Sequence, residues 1–338
     1  MWCVLFFLWP VVTSGQELIA YYDGHCDVSP YRLDEVTHVI YAFGHLRGRR
    51  MALTAGDSGV IRRLVREKRR YPRLKILVSL GGWGGCNTCS AVFASAAGRE
   101  AFAHSVMGLI ESLDVDGVDI DWEFPDRADA FTALIQALHD SLGSGKELSF
   151  IAAGFSPYLQ RSYDWRRLVP LVTRVNLMTY DLIGSRSPIT GHHAALFSSG
   201  PQVESADHAL RYLDSLGVPR SKVVIGAAFY AREWDGVADR NHGLFQPGRF
   251  RRFVSLGRMA SDAGFTEYWD STAQAAYRYD PAKKVFFSYD DVRSVTAKAR
   301  YVRQRHLDGI MFWELCLDRP RGGLLETLYE ALHAPPER

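Results

Sequence analysis

Eight apolar, β-branched segments recur along the chain: 17–24, 38–44, 74–82, 117–123, 147–155, 174–182, 222–230 and 309–315. Their near-continuous apolar runs are those of strands buried on both faces, as in parallel sheets. Between most of them lie segments with helical periodicity, clearest at 59–71, 97–113, 127–142, 203–216 and 290–306. Strand–helix alternation repeated eight times predicts an α/β fold, a (β/α)8 TIM barrel. The first connection is short and irregular. The last is far longer than a normal βα loop, about sixty residues between Tyr230 and the helix near 290. It contains YWDSTAQAAYRYDPAKKVFFSYDD, which reads as short strands around an Asp-Pro turn. A small α+β insertion at about 234–289, between the seventh strand and its helix, is therefore expected.

One strand breaks the apolar rule. In DVDGVDIDWEFP, Asp119, Asp121 and Glu123 alternate with Val118, Ile120 and Trp122. A period of two puts the three carboxylates on one face and the apolar residues on the other. Carboxylates gathered away from water repel one another and lose hydration, which raises the pKa of at least one and makes a general acid. A solvated edge strand is the plainer explanation, but Ile120 and Trp122 require a buried opposite face. A calcium loop would need glycine at its sixth position, whereas Gly117 is fourth from Asp114. Catalysis is the preferred reading, with no metal and no cofactor expected.

Composition changes little. The 338 residues suit one large domain, and a net charge of +2 gives no electrostatic case for nucleic acid. The cluster RRLVREKRR near 62–70 reads as the wet face of a helix. The apolar run from Trp2 to Val12 is too short to span a bilayer and reads as a signal peptide over residues 1–15, although no Lys or Arg precedes it. A secreted, periplasmic or extracellular location and a monomeric chain without membrane insertion follow as expectations. Cys86 and Cys89 form CNTC, which could be redox-active or half a zinc site; with no second pair, a loop-tying disulfide in an exported protein is preferred. The pairing of Cys26 and Cys316 stays open.

DGVDIDWE resembles the DxxDxDxE signature of the family 18 glycoside hydrolases, the chitinase family, with Asp116, Asp119, Asp121 and Glu123 at its four acidic positions. Further motifs similar to the family's follow in order from Glu17 to about Asp318. SLGGWGG (Ser79 to Gly85) resembles SxGG, NLMTYDL resembles MxYD, and FYAREW resembles FYGRxW with Ala231 in place of glycine. TGHHAALF resembles a loop of bacterial chitinases; its adjacent histidines point apart on an extended chain, so structure or groove lining is preferred to metal binding.

The resemblance implies cleavage of chitin or N-acetylglucosamine oligosaccharides. Asp121 and Glu123, i and i+2 on one strand and about 7 Å apart at Cα, lie side by side rather than across a sugar ring. That geometry suggests a nucleophile other than a protein carboxylate. The resemblance implies that the 2-acetamido oxygen of the sugar supplies it, forming an oxazolinium ion. It implies Glu123 as acid and then base, Asp121 on the acetamido N–H, Asp119 sharing a proton with Asp121, and Tyr180 on the acetamido carbonyl. Met178 and Asp181 would line that pocket and Trp313 would floor it. Trp83 would meet the next sugar. Tyr21, Phe43 and Ser79 stand at matching positions, and Tyr230, Arg232, Trp234 and Trp269 are expected along the groove. Two alternatives stand beside it: an endo-acting N-acetylglucosaminidase on glycoprotein glycans or peptidoglycan-derived sugars, which would use the same catalytic logic, and a chitin-binding lectin on the same fold, which the presence of Glu123, Asp121 and Tyr180 disfavours.

Overall fold

Eight parallel strands close on themselves in the computed structural model, which describes residues 15–335 other than residue 262. Residues 1–14 of the expected leader therefore lie outside the described residues. The barrel strands are Glu17–Tyr22, His38–Arg47, Lys75–Gly81, Gly117–Asp121, Glu147–Ala153, Arg174–Met178, Val223–Ala228 and Gly309–Trp313. Each pairs in parallel with its neighbours, and the first pairs with both the second and the last, so no barrel edge is left open. Seven of the apolar segments end one to four residues earlier as strands than the sequence pattern suggests, because their C-terminal residues turn out of the ladder to build the top of the barrel; the second instead runs on to Arg47, where it pairs with Arg50–Ala52. Glu123 is one of the residues that turn out, two residues beyond the fourth strand.

Alternation sorts the side chains into two layers. Val118, Ile120 and Trp122 face outward into the large core shared with the helices. There Trp122 meets Phe93 and Phe131 at ring separations of 5.6 and 5.9 Å. Ile19, Tyr21, Leu77, Ile151, Tyr180, Val224 and Met311 fill the barrel itself. Helices Ala55–Glu67, Ala96–Leu113, Ala128–Leu142, Ala206–Ser215, Val292–Arg305 and Leu324–His333 form the outer ring. Among the described residues the first connection carries no helix, and the fifth is split into Ser156–Arg161 and Trp165–Leu168.

The N-terminal end of the barrel is closed by ions. Arg174 is buried and donates to Glu147 at 2.5 Å and Asp308 at 2.9 Å, with His38 3.0 Å from Glu147. Asp116 also belongs to this end, accepting from the Ile76 amide and the Lys68 ammonium, both at 2.7 Å. The first acid of the DxxDxDxE pattern is thus a strut, far from the reactive end.

Between the seventh strand and helix Val292–Arg305 stands a five-stranded antiparallel sheet: Arg249–Ser255, Tyr230–Asp235, Val285–Tyr289, Ala275–Asp280 and Thr266–Asp270, in spatial order. It starts at Tyr230 rather than near 234: within FYAREW the Phe229 amide still donates to the Trp313 carbonyl of the barrel at 2.8 Å, and from Tyr230 on the chain pairs with Arg249–Ser255 and Val285–Tyr289. Buried Asp290 anchors its return. It accepts from the Ala228 amide at 2.9 Å, from Ser294 at 2.7 Å and from the Lys298 ammonium at 2.5 Å.

Candidate active site

The reactive end is built around one row of barrel register. Ser79, Asp119 and Ser149 are direct partners across the third, fourth and fifth strands. Their inward side chains meet: Asp119 accepts from Ser149 at 2.6 Å, Ser79 at 2.8 Å, Tyr21 at 3.2 Å and Asn176 at 3.2 Å. Four donors fix a carboxylate with no exposure to solvent. Burial still raises its pKa, although each hydrogen bond pulls it down.

Asp121 stands one turn of the pleat above, buried and differently placed. Its Oδ1 has no hydrogen-bond partner in the protein. Desolvation, then Glu123, then Asp119 push its pKa well up. Glu123 follows beyond the strand end; burial first and the Asp181 charge second raise it to about 7. The close approach that lets these acids face the third strand depends on Gly81. Its φ is +119°, and a Cβ there would lie 2.1 Å from the Asp121 carbonyl oxygen, the same oxygen that accepts from the Gly82 amide at 3.0 Å.

On the opposite wall, Tyr180 is buried, its hydroxyl meeting only the Met311 sulfur at 3.8 Å. Burial keeps it protonated and so a donor. Asp181 has a φ of +55°. Arg232, from the inserted sheet, grips its two oxygens at 2.6 and 2.5 Å. His193, fully buried, stands 3.4 Å away. Against the burial that would raise it, His193 and Arg232 hold the Asp181 carboxyl well below the usual range, so it is the fixed negative charge that Glu123 feels. The floor is Trp313, stacked on Phe43 at 5.6 Å and tilted against Tyr21 at 6.0 Å.

The structure thus gathers Asp119, Asp121, Glu123, Tyr180, Asp181, Trp313, Phe43 and Met178 at one end. Several expected substrate contacts lie deeper. Ser79 and Tyr21 are fully buried and direct their hydroxyls to Asp119; Tyr230 is 2% exposed and packs against Tyr180 and His193. Arg232 faces Asp181. Trp234 does not line a groove, because its indole fills the core of the inserted sheet. Trp269 is half-buried beneath Arg293, 4.0 Å from its ring. Trp83 is the opposite case, 81% exposed at the rim with Phe124 edge-on at 6.3 Å. The proton-sharing expected between Asp119 and Asp121 has no direct hydrogen bond to carry it; Asp119 is satisfied by its four donors instead.

Sequence reasoning missed Ser149 and Asn176. Their signal was present: each is the lone uncharged polar residue inside an apolar strand, and an inward polar group in a barrel needs a partner. The two histidines are structural. His192 reaches Asp270 of the inserted sheet at 3.0 Å, and His193 packs beside Asp181. Cys86 bonds Cys89, and Cys26 bonds Cys316.

Comparison with known proteins agrees with this geometry. The model for glycosyl hydrolases family 18 matches residues 17–318. Chitinase A1 of Niallia circulans is 33% identical over 78% of the chain, and Chitinase B of Serratia marcescens 29% over 89%. The chain spans 44% of the length of the first and 77% of the second. A family 18 N-acetylglucosaminidase from Paenibacillus barengoltzii superposes with a TM-score of 0.84, at 32% identity, over 94% of this chain and 99% of that one. With the match covering nearly all of the described residues and the acidic row at its centre, the chain belongs to glycosyl hydrolase family 18.

Proposed function

We propose that this protein hydrolyses β-1,4 bonds of chitin or chitooligosaccharides with retention, using the substrate's own acetamido group as nucleophile. The observation that carries the reading is the buried Oδ1 of Asp121, which no protein donor satisfies. A carboxylate oxygen kept dry and unpaired is suited to an N–H brought by the ligand. Placed so, Asp121 aligns the acetamido group and opposes the positive charge that develops as its oxygen attacks the anomeric carbon. Tyr180, with only sulfur for a partner, is free to donate to the same group. Glu123, raised to about 7, still carries its proton in about half of the molecules at neutral pH, for the leaving oxygen, and can then take one from water. Asp119, fixed by its four donors, adds a neighbouring carboxylate that helps raise Asp121. Trp313 offers a ring face to the C–H groups of the sugar, and Trp83 one to the next sugar on the leaving side.

The two disulfides support export, since such bonds persist in oxidising compartments. No helix among the described residues is long and apolar enough to cross a membrane. A second reading is an endo-acting N-acetylglucosaminidase on glycoprotein glycans; the likeness to the Paenibacillus barengoltzii enzyme supports the N-acetylglucosaminidase activity and not the glycan substrate.

The deciding experiment incubates wild type and Glu123→Gln with chitotetraose and with an N-glycan bearing a chitobiose core, and reads products by mass spectrometry. Cleavage of the tetramer by wild type alone is expected. Cleavage of the glycan alone transfers the reading to the second function. Binding without cleavage of either would make the protein a lectin.

A further inference from the structure

A second cluster of ionisable groups stands behind the floor of the site. Asp23 and His25 lie in the turn after the first strand, and Glu314 directly follows Trp313 at the end of the eighth. Their ligand atoms, with the sulfur of Cys316, all lie within 4.8 Å of one another. That sulfur is engaged with Cys26, so it brings no thiolate. His25 Nδ1 already contacts Asp23 Oδ1. Glu314 is the unusual member. It is 1% exposed, and while its Oε2 accepts from the Cys316 amide at 2.9 Å, its Oε1 is buried with no partner. No side chain of the cluster hydrogen-bonds that oxygen, although the Asp23 backbone amide and the His25 ring both favour the ionised carboxyl. A carboxyl buried in this way either keeps a proton or is completed by a cation, and the neighbouring imidazole and second carboxylate are the groups a cation would share with it.

The geometry points to a divalent first-row transition ion, Mn2+ or Zn2+, held by Asp23, His25 and Glu314. One imidazole nitrogen and two carboxylate oxygens suit these ions better than Ca2+, which prefers oxygen alone. Ligand atoms on one such ion lie no more than about 4.2 Å apart, so the group must contract slightly. His25, with 58% of its side chain exposed, is free to move inward. The bound ion joins the turn after the first strand to the residue beneath Trp313, and so holds the sugar floor in place from behind.

The test uses the full chain after chelator treatment. Loss of the free Mn2+ paramagnetic resonance signal is followed on titration, and Zn2+ is titrated calorimetrically. One ion per chain is expected. His25→Ala, an exposed change that spares the fold, should weaken binding about tenfold or more, because losing a direct ligand costs at least as much as losing its outer support. Glu314→Gln should weaken it likewise, with far-ultraviolet dichroism as the folding control. Absence of saturable binding, or binding equally tight in His25→Ala, overturns the site.

Discussion

At the scale of single residues, the molecule separates two carboxyl groups two positions apart by what surrounds them. Both are raised: Asp121 well above the usual range by burial and then by the charges of Glu123 and Asp119, and Glu123 to about 7 by burial and one outside charge, Asp181. A general acid must be protonated to act, so kcat/KM should fall as pH rises through about 7. Asp181→Asn removes the charge that props this value up and leaves Arg232 unopposed nearby. The alkaline limb of the pH–rate profile should therefore move to lower pH; a profile that stays put or moves up would disprove the coupling. Glu123→Gln should cut kcat about a hundred- to ten-thousand-fold. The same change should also alter stability in a pH-dependent way. The folded-state value lies above the unfolded 4.5, so ionising Glu123 destabilises the fold progressively as pH rises from the unfolded to the folded value. Glutamine escapes that loss, and its gain in melting temperature should be larger at pH about 8 than at pH about 4. Of these residues the acids were legible in the sequence because a strand period displays them. Ser149 and Asn176 were legible only as lone polar residues in need of a partner, since nothing local says that a serine in ELSFIAA and an asparagine in RVNLM converge on one carboxylate.

At the scale of elements, barrel strands were readable from apolar runs, but their ends were not. GVDIDWE keeps its alternation through Glu123, while the ladder stops at Asp121, because pairing is decided by the neighbouring strands and not by the segment itself. The same cause hid the start of the inserted sheet, where FYAREW continues an apolar run yet from Tyr230 on pairs with strands that follow it in sequence. The glycines of SLGGWGG could be read for close approach, and Gly81 bears this out. Gly81→Ala places a methyl group 2.1 Å from a backbone oxygen, with no flexible neighbour to yield and a φ that alanine resists. Loss of about 2–4 kcal/mol of unfolding free energy is expected, read as a drop in the denaturant midpoint. A midpoint within experimental error of wild type would mean that the third and fourth strands can part without cost.

At the scale of the whole molecule, the chain's first and last barrel strands are neighbours, and the Cys26–Cys316 bond joins the connections that leave them across a sequence separation of 290 residues. Cross-linking so long a segment restricts the unfolded chain strongly, so Cys26→Ser with Cys316→Ser should lower stability by about 2–5 kcal/mol, measured by thermal or denaturant unfolding without reductant. The short Cys86–Cys89 loop should matter less. Reading the sequence alone supplied five cysteines, Cys3 in the expected leader among them, and one closely spaced pair; the long pairing became visible only once barrel closure brought the two ends of the chain together. That closure makes the body of the protein a covalent ring. A protease that cuts one peptide bond anywhere between residues 26 and 316 opens the ring but releases no fragment, so a singly nicked molecule should run as one band on a non-reducing gel and as two after reduction. Such a ring lets the barrel outlive its first cut.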